Sequence, residues 1–190
     1  MKERSIIFCS EMVRRTLKGQ KFQTRRIVRP QPPKRWEGAK PHRFSLTTDD
    51  EGIELYVTSL SAGNGDWHAK CPYGNVEGKI WVREAFTYTQ DKKTIIYRAD
   101  VKEDSYKWTS PLFMRRENSR LILFISHLRV EPIQDINQTD VFKEGIRNYD
   151  MKPEESAQQA FARLWDTLNA KRGFSWESNP YVWVIDFTVV

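Results

Sequence analysis

Cysteine and histidine are scarce in this chain of 190 residues: Cys9 and Cys71 of the first, His42, His68 and His127 of the second. The cysteines have neither metal-ligand spacing nor the framework of a secreted disulfide scaffold. Two reduced, at least partly buried thiols in a cytoplasmic protein are therefore expected. The histidines are scattered, and neither a metal nor a cofactor is predicted. No glycine-rich loop suited to cradling phosphate is present; CPYGNVEG reads as a turn. The apolar run around Ile6-Ile7-Phe8 is too short for a signal peptide or a membrane span. Repeats and low-complexity blocks are also absent, which leaves one domain, with or without an insertion, as the expectation.

Aromatic residues, by contrast, are plentiful: seven Trp, ten Phe and seven Tyr. A chain of this size buries about two thirds of its unfolded surface, so such a core needs no covalent staple. The net charge of +6 is unevenly spread. Residues 1–43 hold thirteen Lys and Arg against three Asp and Glu, and the remainder holds eighteen against twenty-two. That asymmetry predicts a polyanionic partner held by the N-terminal part; the alternative is a solvated basic face.

Along the chain, Ile6-Ile7-Phe8 reads as a short strand. Ser10 is the expected N-cap of a two-turn helix with Val13 and Leu17 on one face, stopped by Gly19. Phe22 to Val28 reads as a strand ended by Pro30. Residues 30–41 are proline-rich; His42–Thr47 and Ile53–Thr58 read as a hairpin, followed by a loop rich in Gly and Ser. Residues 30–70 are thus expected to be an insertion. Ile80–Phe86 and Thr94–Arg98 are predicted to pair across the turn Gln90–Lys93. Ser119–Ile133 is the longest β-type run, directing Leu121, Leu123, Ile125 and Leu128 to one core with a bulge at Ser126-His127. Thr139 is expected to cap a short helix through Ile146. Pro153 is expected to open a longer one with Ala160, Leu164 and Leu168 on its inner face, and Gly173 just beyond its end. Tyr181–Val189 reads as a strong strand. Many strands with few helices give an α+β class built on a small, partly closed barrel.

Three stretches stand out together: the basic turn GQKFQTRR, with the pattern G-x-K-x-x-T-x-R, the strand GKIWVREAF, and the strand YVWVIDF. With INQTDVFKEGI before the last helix, they resemble the ASCH family of the PUA-like fold, in particular its longer phage and prophage members. The resemblance spans nearly the whole chain and is weakest over residues 30–70. It implies a PUA-like small β-barrel with flanking helices, an insertion after the second strand, and a cleft that receives a nucleotide or RNA. One ASCH branch comprises N4-acetylcytidine amidohydrolases that use a lysine base, a threonine nucleophile and a glutamate proton donor. The resemblance carries these onto Lys21, Thr24 and Glu144.

Taken as chemistry, a threonine hydroxyl needs a neighbouring base, and lysine is a base only when neutral. Burial and nearby cations lower a lysine pKa, and a carboxylate raises it. Strand alternation puts Thr24 and Arg26 on one face and Arg25 on the other, with Lys21 at the strand's mouth. Lys21, Arg25 and Arg26 suit an anion. Trp81 and Arg83 share a face of their strand and suit base stacking; core packing and an internal ion pair are the alternatives. Trp165 and Trp183 read as core; Trp36, Trp67 and Trp108 lie in polar loops and suit stacking on unpaired bases. Three functions remain open. The first is binding of RNA or a modified nucleoside in a basic cleft, and the second is hydrolysis of N4-acetylcytidine or a related acylated base. The third is a protein-interaction factor of phage type. No membrane partner is expected.

Overall fold

The computed structural model describes residues 3–32, 43–48, 54–61, 66–102 and 106–190. The chain opens with strand β1 (Arg4–Ile7), helix α1 (Ser10–Leu17) and strand β2 (Gln23–Ile27). Strands β3 (Arg43–Thr48), β4 (Glu54–Ser61) and β5 (Asp66–Lys70) form an antiparallel sheet of their own. The expected hairpin is its first two strands; β5 was not foreseen, and the turn at 49–52 lies outside the described residues. Strand β6 (Lys79–Arg83) follows. The short pair β7 (Phe86–Tyr88) and β8 (Ile95–Tyr97) comes next, then the long β9 (Ile122–Pro132). Helices α2 (Gln138–Lys143) and α3 (Ala157–Asn169) precede the last strand, β10 (Tyr181–Val189).

The main sheet runs β1-β6-β9-β10-β2. It is not a closed barrel among the described residues, because β1 and β2 are its two edges and form no ladder with each other. A side chain joins them instead: the Arg26 guanidinium of β2 donates to the Ile7 carbonyl of β1 at 2.8 Å.

Strands β9 and β10 carry the core. Val182 and Val184 of β10 face α2 and α3, packing with Val141, Ile146, Phe161 and Trp165. Trp183, Ile185 and Phe187 face the other way, onto Phe8, Val13 and Leu128. The β9 sequence shows why a bulge is required. Leu121, Leu123 and Ile125 are buried at odd positions, then Leu128 and Val130 at even ones. One extra residue must reset the parity. The register does so, passing from Ile125–Phe187 to His127–Asp186 and leaving Ser126 unmatched.

Several local expectations are corrected. Cys9, without a side-chain cap, precedes α1, so Ser10 is its first helical residue. Val13 is buried but Leu17 is exposed; Thr16 takes the second inward place. Asn137 rather than Thr139 caps α2, its side chain accepting from the Asp140 amide. Helix α3 starts later than Pro153 allows, because Ser156 and Gln159 form a reciprocal capping box. Its inner face is Ala157, Ala160, Phe161 and Trp165, while Leu164 and Leu168 are exposed. The run from Ile80 to Phe86 breaks in two, and only Phe86–Tyr88 pairs with β8. Among the described residues no helix is long and apolar enough to cross a membrane.

Candidate functional site

Lys21 follows α1 by one turn, at the entrance to β2. Its side chain is 1% exposed, and Nζ has three acceptors. It donates to the Gln23 carbonyl at 2.8 Å, the Glu144 carbonyl at 2.8 Å and Glu144 Oε2 at 2.7 Å. The sequence places Lys21 and Glu144 more than a hundred residues apart; the fold makes them an ion pair.

The end of α2 explains how Glu144 gets there. The Gly145 amide donates to Phe142 O and the Ile146 amide to Val141 O, the double bond of a Schellman turn. That turn needs a positive φ after the cap, and Gly145 has φ +102°. A Cβ at Gly145 would lie 3.1 Å from Arg15 Cδ and 3.3 Å from Lys21 Cβ, so the missing side chain also makes room for the lysine. Val141 and Ile146, both buried, clasp the turn from within. Lys21 thereby caps one of the last helical carbonyls, and the Phe22 amide takes that of Lys143 at 2.8 Å. Arg15 locks the turn from α1, donating to the Gly145 carbonyl and, at 2.6 and 2.7 Å, to both oxygens of Asp150.

Burial drives the Lys21 pKa down. The Glu144 carboxylate opposes that shift, and the Arg26 charge adds to it. Lys21 Nζ and the Arg26 guanidinium both lie near the Phe8 ring, 5.9 and 5.6 Å from its centroid.

Arg25, expected among the ligand contacts, is enclosed. Its side chain is 1% exposed and points under α2. The guanidinium reaches Glu131 at 2.7 Å, Asp140 at 2.9 Å and Glu144 at 3.3 Å, and donates to the Gln23 amide oxygen. Gln23 in turn donates to Asp140 and Asp186. Arg129 completes the network with bonds to Glu131, Asp140 and Asp186. Burial alone would raise the Asp140 pKa, but the Arg25 charge, the Gln23 amide and Arg129 bring it below the ordinary carboxylate value. In this setting Arg25 is a network member rather than a rim cation.

Thr24 and Arg26 lie on the opposite face of β2, as alternation predicts. Thr24 is 1% exposed, and its hydroxyl has no hydrogen-bond partner among the described residues. Arg26 is half-buried and forms no ion pair among the described residues; its hydrogen bonds go to the Ile7 and Arg25 carbonyls.

Trp81 packs with Phe86 and Met114. Arg83 stacks over its indole at 4.6 Å and donates to the Leu112 carbonyl at 3.2 Å. The carboxylate next to it, Glu84, is buried and paired with Arg120 at 2.8 Å. Trp165 and Trp183 are core, and Trp108 sits 5.4 Å from the Tyr106 ring. The side chains of Trp36, His42, Trp67 and His68 lie outside the described residues. Cys9 is exposed, whereas Cys71 is buried and its thiol is pushed up to about 12 by that burial.

Sequence reading did not single out Gln23, Arg129, Glu131, Asp140, Asp186 or Gly145. A signal was present for three of them. Arg129, Glu131 and Asp186 each stand within an otherwise apolar strand, and charges there need partners.

No family model matches this chain, and no curated protein does. Two solved structures align along nearly all of it. One is an ASCH domain from Lactobacillus crispatus, at 11% identity and TM-score 0.43, covering 99% of this chain and 79% of that one. The other is a DUF984-family protein from Enterococcus faecalis, at 10% identity and TM-score 0.43, covering 100% and 77%.

Proposed function

We propose that this chain is an ASCH-type, PUA-like domain, with residues 30–70 as an insertion, that binds RNA or a modified nucleoside beside Thr24 and Arg26. The observation that carries this reading is the buried, unpartnered Thr24 hydroxyl on the same strand face as Arg26. A buried hydroxyl without a partner costs free energy that a ligand's polar edge would recover. An arginine with no carboxylate partner suits a phosphate or a base carbonyl. The test is a thermal-shift and titration series over cytidine, N4-acetylcytidine and a short RNA. A ligand raises the melting temperature by mass action. Arg26→Ala and Thr24→Val are expected to abolish that rise; full retention in both would remove the site from this face.

A second reading, hydrolysis of an N4-acylated cytosine, is favoured by the lowered pKa of Lys21. In it, the Lys21 ammonium first passes a proton across its 2.7 Å bond to Glu144, and the neutral Lys21 that results takes the Thr24 proton as the hydroxyl oxygen attacks the acyl carbonyl. Glu144 protonates the departing amine, and water then releases the acid from the acyl-threonine. Acetate release from N4-acetylcytidine, lost in Lys21→Ala, Thr24→Ala and Glu144→Ala, is the expected outcome. Unchanged turnover in any one of them takes that residue out of the reaction.

A further inference from the structure

We infer that the loop from Tyr106 to Arg116 is a second contact surface for single-stranded nucleic acid, continuing the Arg26 site along the end of the main sheet. The inference extends the nucleic-acid reading above and rests on it only for the first contact.

The loop is anchored at two points. Thr109 bridges Phe86, its amide donating to the Phe86 carbonyl at 2.8 Å. Met114 is 2% exposed, packed with Trp81 and Phe86. Between the anchors Ser110 caps a single turn, its hydroxyl accepting from the Leu112 amide. The chain is thus held tightly on both sides of two large apolar residues that it turns outward: Leu112 is 63% exposed and Phe113 73%. An isolated exposed apolar side chain is ordinary; two adjacent ones on a doubly pinned turn are placed for contact.

Charge chooses the occupant. Residues 106–116 contain Lys107, Arg115 and Arg116 and no acid. Arg116 pairs with Glu3. Arg115 has only a 3.8 Å pair with Glu117, both side chains being more than two thirds exposed, which leaves its charge available. Tyr106 is exposed and lies beside Trp108. Aromatic faces interleaved with cations, with no acid among them, match a strand of stacked bases on a phosphate backbone better than an apolar protein face.

Connectivity joins this loop to the candidate site. Arg26 donates to the Ile7 carbonyl, Ile7 is the β1 partner of Arg83, and Arg83 donates to the Leu112 carbonyl. A ligand seated at Arg26 therefore meets Arg83 and then Phe113 as it runs along the sheet end.

The test compares cytidine with eight-nucleotide RNA and DNA oligomers of one sequence. Phe113→Ala is expected to weaken oligomer binding about tenfold while leaving cytidine binding unchanged. Arg115→Ala is expected to reduce the slope of log affinity against log salt by about 0.7. Phe113 is exposed, so its loss does not threaten folding, and an unchanged melting temperature confirms this. Equal oligomer affinity in wild type and Phe113→Ala overturns the inference, as does cytidine binding with no oligomer binding; the second outcome leaves the Thr24–Arg26 site standing. Oligomer binding that depends on Phe113 but survives Arg26→Ala and Thr24→Val upholds the loop and removes the first site. Absent oligomer binding, with self-association that Phe113→Ala abolishes, would assign the turn to protein contact and overturn the inference. A preference of RNA over DNA identifies which strand the surface takes.

Discussion

Residues 23 to 26 of one strand face two different worlds. Gln23 and Arg25 point under α2 into a network where hydrogen bonds and ion pairs link every member. Thr24 and Arg26 point the other way, with Arg26 over the Phe8 ring, and among the described residues the hydroxyl has no partner and the guanidinium no carboxylate. On the first face every charge has a counter-charge and only Arg25 Nε lacks an acceptor among the described residues; on the second the guanidinium has no carboxylate there. Buried ionic groups are tolerable when their lone pairs and protons are matched, and costly when they are not. The contrast falls within four residues: Arg25 is matched by three carboxylates inside the fold, and Arg26 by none among the described residues.

The largest test acts on two paired carboxylates, Asp140 of the network and Asp150, which Arg15 holds at the turn after α2. The Arg15 hydrogen bonds hold Asp150 below its ordinary value of 3.8, and Asp140 is likewise lowered. A carboxylate with a depressed folded-state pKa contributes stability that is complete above its unfolded value and is lost as pH falls through the folded one. The urea midpoint is expected to hold steady down to about pH 4 and then to fall, with a shallower fall in Asp150→Asn. A midpoint independent of pH down to about 2 would break the assignment of strength to the paired face.

Next in size is Arg25→Ala, which leaves Glu131, Asp140 and Glu144 short of a cation in a buried setting. A loss of about 3–5 kcal/mol in chemical denaturation is expected. Gly145→Ala comes third, at about 1–3 kcal/mol, from its positive φ and the crowding of Lys21 and Arg15. The smallest effect has the opposite sign. Thr24→Val replaces an unpartnered buried hydroxyl with a methyl group and is expected to stabilise by about 1 kcal/mol while removing ligand binding. A destabilised Thr24→Val would mean that the hydroxyl has work to do in the free protein, and the contrast between the faces would narrow.

Much of this architecture was legible in the chain. The limits of β10, the bulge near Ser126, the stop at Gly19 and the division of β2 into two faces all follow from periodicity and turn chemistry. What was illegible shares one physical cause: it depends on neighbours distant in sequence. The inner face of α3 is set by the sheet beneath it, so the four-residue spacing of Leu164 and Leu168 misled. The N-terminal excess of cations read as a docking surface, yet three of those cations, Arg15, Lys21 and Arg25, are matched inside the fold by Asp150, Glu144, Asp140 and Glu131. Net charge counts side chains without knowing which ones find each other. The Lys21–Glu144 pairing was anticipated only through the family resemblance; nothing in local spacing gives it.

The guanidinium bond between the two outer strands has a mechanical meaning. A seam stitched by main-chain pairing parts only when several bonds break together, whereas among the described residues the hydrogen bond across this one comes from one charged donor, worth about 1.5–3 kcal/mol. It can unfasten without disturbing any ladder. A phosphate arriving at Arg26 would compete with Ile7 for that donor, so occupancy and the width of the seam become one variable. Amide exchange at the free edges of β1 and β2 would report both.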